Sequence, residues 1–446
     1  VVPLFGTDGI RGYAGRDFFS RPSLINFAEA FALFMQERFP KNQGIVIITD
    51  TRISGEWIKS CLSTVFLVRG IPLYDAGILP TPAAQTLLEQ WPECSAVLII
   101  SASHNPAADN GIKIVLKTGK MTTEDESALE QKFSSKQMPS DIVHFSPLRR
   151  IVDAELIYQA TVLSEFQKTD FTGVTVALDC AHGATYRVAP ALFSSLGANV
   201  ILCNAHPNGT NINKSCGSQA PRDLQETVLK YQASIGFAFD GDGDRVIAVT
   251  RKGIVKDGDD LLVLLSQHPC YRAEQTIVGT QMSNLGCERF FTEQKKTFIR
   301  AAVGDKYVAQ AMGETGVLLG GEPVGHIILA DLLKSGDGIR AALRVLEQIM
   351  ASSNWDLETF TKYPQAQDSL VVDRRFDLTQ EPYSTVLQEA ESMTRGGRIL
   401  VRYSGTEPLL RIMAESSDIR YADQTVEFLK TSFTKLFSSL SGVSLS

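Results

Sequence analysis

The stretch S-I-G-F-A-F-D-G-D-G-D-R, residues 234–245, joins an apolar run to three aspartates at alternate positions with glycine between them. A short apolar run that ends in a polar, Gly-rich loop predicts a strand covered on both faces, as in layered α/β folds. The same grammar returns in A-V-L-I-I-S-A-S-H-N-P (96–106) and in G-V-L-L-G-G-E-P-V-G-H (316–326). Upstream of each lies a first strand and loop, at 44–55, 173–184 and 275–286. A second strand and loop follows at Gly70 to Pro82, Gly197 to Gly209 and Thr297 to Tyr307. One unit used three times predicts three similar α/β domains with mixed sheets. Because ligands bind beyond the carboxyl ends of such strands, the three chemically loaded loops occupy corresponding places.

Helical spacing places helices over 22–37, 55–68, 82–90, 153–167, 187–196, 222–232 and 338–350, with Ser20 and Pro22 as a start signal for the first. Residues 118–150 carry a short charged helix pattern and then a polar connector. After Tyr363-Pro364 the grammar changes. Ser369 to Phe376 alternates like a strand, 383–394 is helical, 398–403 and 409–415 flank a Gly loop, and a last helix covers 420–437. The expected domains are 1–151, 152–250, 251–365 and 366–446, the last a smaller α+β domain.

The 446 residues, 44% hydrophobic and 21% charged, suit a globular chain that needs no disulfide or metal staple. A net charge of −7 without a basic stripe gives no support for nucleic-acid binding. No apolar run reaches the roughly 18 residues of a membrane helix. The first residues are too short and too polar for a signal peptide, although the chain does not begin with Met. Seven scattered cysteines without C-x-x-C argue against a disulfide framework or zinc, so the expected location is the cytoplasm.

Asp240, Asp242 and Asp244 can curl around one hard cation, and Mg²⁺ suits an all-oxygen set with a position left for a phosphate oxygen. An EF-hand is excluded by Arg245 and Arg251 at its sixth and twelfth positions. A solvated acidic turn is the bland alternative. Ser103 sits on a Pro-terminated turn after a buried strand, where it is either a nucleophile needing a base or metal, or an ordinary turn residue. His104 and Lys113 are candidates for proton handling, against structural roles. The segment F-G-T-D-G-I-R-G (5–12) carries Arg11 on a loop whose N–H groups could meet an anion. Arg402, Ser404, Gly405, Thr406 and Arg411 suit a cradle for a phosphate dianion, against the plainer reading of a hairpin turn. Glu322 and His326 suit sugar hydroxyls or a structural contact with one another. Neither a Walker loop nor a dinucleotide fingerprint is present.

These five segments, in this order, resemble the α-D-phosphohexomutase superfamily over essentially the whole chain. C-A-H-G-A-T-Y (180–186), P-N-G-T-N-I-N (207–213), V-G-D-K-Y-V (303–308) and S-G-D-G-I (335–339) favour its glucosamine branch. The resemblance implies four domains around a central cleft and a phosphorylated Ser103. It implies Mg²⁺ on Asp240, Asp242, Asp244 and an oxygen of that phosphoserine. Arg11 and Arg245 would neutralise the phosphoryl group, Lys113 and His104 would move protons, and Glu322 and His326 would orient the hexose. Arg402, Ser404, Gly405, Thr406 and Arg411 would hold the phosphate that does not react.

The implied substrate is a hexosamine phosphate, with glucosamine 1,6-bisphosphate as intermediate and activator, feeding UDP-N-acetylglucosamine synthesis. A homodimer is the assembly entertained. Two positions depart from the family pattern. Val324 stands where the sugar loop usually carries Ser, and Ala302 where a Lys is expected, with Arg300 or Lys306 as candidate substitutes. The alternatives are a mutase of relaxed sugar choice, a phosphatase with Asp240 as nucleophile, and a non-catalytic sugar-phosphate sensor. Gly243 and Asp244, where such phosphatases need a Thr, count against the second.

Overall fold

Each of the three apolar segments that precede the loaded loops is an interior, fully buried strand. Cys94–Ile100 runs parallel to Gly44–Thr49 and antiparallel to Asp109–Leu116. Ile235–Phe239 runs parallel to Thr175–Asp179 and antiparallel to Val246–Thr250. Leu319–Gly321 runs parallel to Thr276–Thr280 and antiparallel to Ile327–Leu329. In each sheet, therefore, the loop after the third strand turns back as a hairpin rather than crossing over, and its residues stay at the strand's carboxyl end.

The structure is a computed structural model that describes residues 4–6, 8–41, 43–135, 145–404 and 408–441. It divides into two compact bodies: Val1–Thr280 with Ala301–Glu358, and Gln281–Arg300 with Thr359–Ser446. The first body holds the first two α/β units and most of the third. Seven of its helices lie within about two residues of their expected ends, the usual uncertainty of helix termini: Arg21–Arg38 behind Ser20 with Pro22 in its first turn, Ser54–Val68, Ala83–Gln90, Ala154–Glu165, Val188–Ser195, Arg222–Tyr231 and Gly338–Ser352. Helices Gly258–Leu265 and Asp305–Thr315 stand where the sequence reading placed none. Phe27, Phe31, Ile45, Ile47, Leu98 and Ile112 meet in the core of the first unit.

Three strands also differ from the sequence reading. Ile10–Tyr13, inside the segment read as a glycine loop, pairs antiparallel with Asp109–Ile112. Leu148–Arg150, inside the connector, adds a parallel edge strand beside Leu73–Asp75. Both are too short for their periodicity to show. Asn199–Cys203 is only half-buried because it forms the edge of its sheet, with Leu202 exposed.

The second body is built on three antiparallel strands in the order Gln365–Val371, Leu409–Glu415, Arg398–Tyr403. Helices Tyr383–Met393 and Ile419–Ser441 pack onto it through Tyr383, Ala390, Ala422, Leu429 and Phe433. The first of these strands starts at Gln365, not Ser369, and stops at Val371 rather than Phe376. Its length is set by its partner. Gln365 pairs with Glu415 and Val371 with Leu409, and beyond that the Val372 N–H meets the Pro408 carbonyl.

Candidate active site

Two of the repeated loops meet at Ser103. Its hydroxyl donates to Asp240 Oδ2 at 2.6 Å, and His104 Nδ1 lies 3.3 Å from Ser103 Oγ. Ser103 is fully buried and adopts φ +51°, a left-handed conformation unusual for a residue with a Cβ. The approach of the aspartate loop requires glycine. A Cβ on Gly241 would stand 2.5 Å from the Ser103 carbonyl oxygen, and Gly243 (φ +74°) would push one to 2.4 Å from Thr185 Cγ2.

Asp240, Asp242 and Asp244 are all buried, each with a carboxylate oxygen within 4.8 Å of the others. Burial and then the neighbouring carboxylates of Asp244 and Asp242 push Asp240 well above the usual carboxylate range. Lys113 crosses from strand Asp109–Leu116 to place its Nζ 2.7 Å from Asp8, 2.8 Å from Asp242 and 3.2 Å from Asp244. Burial opposes its charge, but these three carboxylates outweigh it and hold the ammonium firmly protonated. Asp242 Oδ2 also accepts from Thr81 at 2.6 Å. Asp242 Oδ1 and Asp244 Oδ1 are buried and accept no hydrogen bond, although such atoms normally have a partner. Three converging carboxylates with two unpartnered oxygens fit a hard divalent cation.

The cations sit on the same side. Arg11 donates to Asp8 and, at 3.3 Å, to Asn105 Oδ1. The Arg245 N–H donates to Asp240 Oδ1 at 3.2 Å, and its buried Nε, 3.8 Å from Asp244, makes no hydrogen bond. Burial, reinforced by the charges of Arg245 and Arg11, lowers the His104 imidazole to about 4, so it is neutral near pH 7. Glu322 is buried and accepts from the Gly304 N–H at 3.1 Å, while burial raises its carboxyl. His326, 3% exposed, lies between Asp244 (3.9 Å) and Asp305 (3.7 Å). Asp305 is paired in turn with Lys120.

In the second body, Arg402 and Arg411 stand directly opposite one another on adjacent strands. They line a pocket of about 310 Å³ with Met282, Gln367, Ser369 and Met413. Burial and the Arg411 charge lower the Arg402 guanidinium from its ordinary value. Ser404 is buried, its N–H bonded to the Leu409 carbonyl and its own carbonyl accepting from Arg375 at 2.6 Å. Gly405 and Thr406 lie outside the described residues. Arg300 is engaged with Glu288 Oε2 at 2.8 Å and the Ser283 carbonyl at 2.6 Å.

Sequence reasoning overlooked several residues around Ser103. Asp8 couples Arg11 to Lys113. Arg52 and Asp50, buried behind the serine loop, form an ion pair at 2.8 Å. Asn213 donates to the carbonyls of Ser103 and Asn105. The signal was present: T-D-T-R (49–52) ends the first strand of the first unit, in the place equivalent to L-D-C-A (178–181) in the second.

Comparison with known proteins agrees with this geometry. The chain matches the described families "Phosphoglucomutase/phosphomannomutase, alpha/beta/alpha domain I" over residues 2–139, domain II over 155–253 and domain III over 257–365, and the C-terminal domain over 370–431. The chain thus belongs to the phosphoglucomutase/phosphomannomutase family and is a phosphohexomutase enzyme. Among its relatives, the phosphoglucosamine mutase of Teredinibacter turnerae is 41% identical over 424 residues, covering 92% of this chain and 94% of that one. The phosphoglucosamine mutase of a Marinomonas species is 40% identical over 440 residues, 95% and 96% of the two chains.

Solved structures share the fold. A phosphoglucomutase/phosphomannomutase family protein from Burkholderia thailandensis superposes with TM-score 0.78 at 19% identity, covering 98% of each chain. Aspergillus fumigatus N-acetylphosphoglucosamine mutase, solved with GlcNAc-6P and magnesium, gives TM-score 0.67 at 15% identity, covering 97% of this chain and 96% of that one. Among the described residues, no helix is long and apolar enough to cross a membrane.

Proposed function

We propose that this enzyme interconverts glucosamine 6-phosphate and glucosamine 1-phosphate, with Ser103 as the phosphate carrier. The observation that carries the reading is the Ser103 hydroxyl, 2.6 Å from Asp240 within a carboxylate cluster that has oxygens to spare. The sugar is chosen on the relatives of about 40% identity named phosphoglucosamine mutase.

In the forward direction the phosphoserine P–O bond breaks as a P–O bond forms to the free 1-hydroxyl of glucosamine 6-phosphate. The hydroxyl proton passes to neutral His104, whose Nδ1, 3.3 Å from Ser103 Oγ, can return a proton to the serine oxygen as it leaves, while Lys113, held protonated, supplies positive charge. The 1,6-bisphosphate then reverses in the site, returns its 6-phosphate to Ser103 and leaves as the 1-phosphate. Asp240, Asp242, Asp244 and a phosphoserine oxygen would hold Mg²⁺, which when bound supplies Lewis-acid neutralisation of phosphoryl charge. Arg11 and Arg245 add cationic charge on the same side. Phosphoryl transfer depends on such positioning and neutralisation, because barriers for inert phosphate monoesters must fall by more than about 20 kcal/mol.

Glu322 and His326 would orient the hexose, His326 lying between the carboxylates of Asp244 and Asp305. Arg402, Ser404, Gly405, Thr406 and Arg411 would hold the phosphate that does not react, providing binding energy remote from the reacting atoms. A second reading, relaxed sugar choice, is favoured by one observation. Val324 is 49% exposed in the loop that carries Glu322, where a hydroxyl is usual in the family.

Comparing kcat/KM for the 6-phosphates of glucosamine, glucose and mannose tests the sugar. Glucosamine 6-phosphate as the poorest of the three would sink the assignment. Intact mass of wild type and Ser103→Ala tests the carrier, because a phosphate adduct that survives in the variant would place it elsewhere.

A further inference from the structure

We propose that Arg52 and Asn213 act as a clamp on the backbone carbonyls of the serine loop, holding Ser103 in its left-handed conformation so that its hydroxyl stays aimed at Asp240. The proposal rests on Ser103 being the phosphate carrier. A non-glycine residue at φ +51° needs support from its surroundings. Here both sides of the residue are gripped. The Ser103 carbonyl accepts from Arg52 Nη2 at 3.0 Å and from Asn213 Nδ2 at 2.8 Å. The Asn105 carbonyl accepts from the same two groups at 2.8 and 3.0 Å. On the other side, the Ser103 N–H donates to Ser101 Oγ at 3.0 Å, and Ser101 Oγ donates to Asp50 at 2.6 Å. Asp50 is held by Arg52 Nε at 2.8 Å, which closes the circuit.

The Arg52 side chain is completely buried, and its remaining bonds go to the carbonyls of Pro106 and Asp109. Its donors are directed at the loop backbone rather than at a ligand. A buried ion pair contributes little net stability against an apolar replacement, so positioning is the better account of its presence. Asn213 comes from the second α/β unit. It is the last residue of P-N-G-T-N-I-N (207–213), and its own N–H is anchored to the Ala181 carbonyl at 2.9 Å. The serine loop of one unit is thereby held from two units at once. Both clampers are positioning residues, because they act on the loop and not on the reacting atoms.

The test uses the full chain with Mg²⁺ and glucose 1,6-bisphosphate as the phosphate source. Phosphate on Ser103 is followed by intact mass against time, and steady-state kcat and KM are measured beside it. In Asn213→Asp the new carboxylate repels both carbonyls. The rate of Ser103 phosphorylation and kcat are expected to fall together by about 10²-fold, because small misplacements of reacting groups cost that much. Melting temperature and KM should stay close to wild type, and Asn213→Ala should show a smaller loss of the same kind.

Arg52→Lys should behave likewise. If it fails to fold, the Asn213 pair decides. Unchanged phosphorylation in folded Asn213→Asp, or a loss confined to KM, overturns the clamp. A crystal structure of that variant with Ser103 still at positive φ and on Asp240 does so too. A wild-type protein that gains no phosphate on Ser103 overturns the carrier reading instead.

Discussion

Around Ser103, the carboxylates of Asp8, Asp240, Asp242 and Asp244 are packed with Lys113, Arg11 and Arg245, opposite charges interleaved, with Asp242 Oδ1 and Asp244 Oδ1 left without a hydrogen bond. On the sheet of the second body, Arg402 faces Arg411, a pair of like charges at one register position. The first arrangement sets opposite charges against one another. The second brings two guanidinium groups together on one sheet, charges of one sign that a phosphate held as proposed would neutralise. Mutation should therefore separate the two regions, with stability lost in one and ligand affinity in the other.

The largest expected effect is on chemistry. Ser103→Ala should remove turnover by at least about 10⁴-fold, the scale seen when a nucleophile is removed, with phosphate incorporation lost in the same protein. Next comes Lys113→Met, which strands three carboxylates. Removing one partner of a buried charge network costs about 3–5 kcal/mol, so its melting temperature in EDTA should fall sharply, and excess Mg²⁺ should recover part of the loss. A Lys113→Met protein as stable as wild type in EDTA would break the contrast.

A pH scan separates the scaffold from both regions. His268 is 7% exposed, and burial together with the Arg344 cation lowers its imidazole to about 4, while Glu347 faces it at 3.7 Å. The unfolded histidine takes up a proton near pH 6.5 and the folded one only near 4. Stability from this group is therefore complete above 6.5 and is lost as pH falls towards 4, by up to about 3 kcal/mol. Denaturant melts of His268→Gln should show a flatter dependence over that window.

The smallest effect lies on the arginine sheet. Arg402→Ala removes charge-assisted bonds worth about 1.5–3 kcal/mol to a bound phosphate, or roughly 10- to 100-fold in KM, with stability within about 0.5 kcal/mol of wild type. Loss of stability without a change in KM would mean that the pair serves the fold rather than a ligand.

Much of this was legible from the sequence because buried strands and glycine-bounded loops are local patterns. The repeat, most of the helices and the placing of the loaded loops at corresponding strand ends follow from runs of about ten residues, whereas the meeting of Ser103 with Asp240 was implied by the family resemblance. What stayed hidden is what joins segments far apart in the chain. Arg52 lies in a stretch legible as strand and loop, but its partners Ser103, Asn105 and Asp109 are fixed only once the sheet is assembled. Leu148–Arg150 is a strand only because Leu73–Asp75 offers it an edge. The end of Gln365–Val371 is likewise set by Pro408, far along the chain, and not by its own alternation.

The hairpin after the third strand of each α/β unit has a consequence for how such a molecule can change. The three scaffolds share one sheet order, and each presents its variable loop at the same exit. One copy can thus acquire a hydroxyl, another an acidic pocket and the third a carboxylate–imidazole turn without rebuilding the layer beneath. Duplication of a single architectural plan lets separate tools of one reaction diversify independently, provided that a few long-reaching side chains re-tie them afterwards.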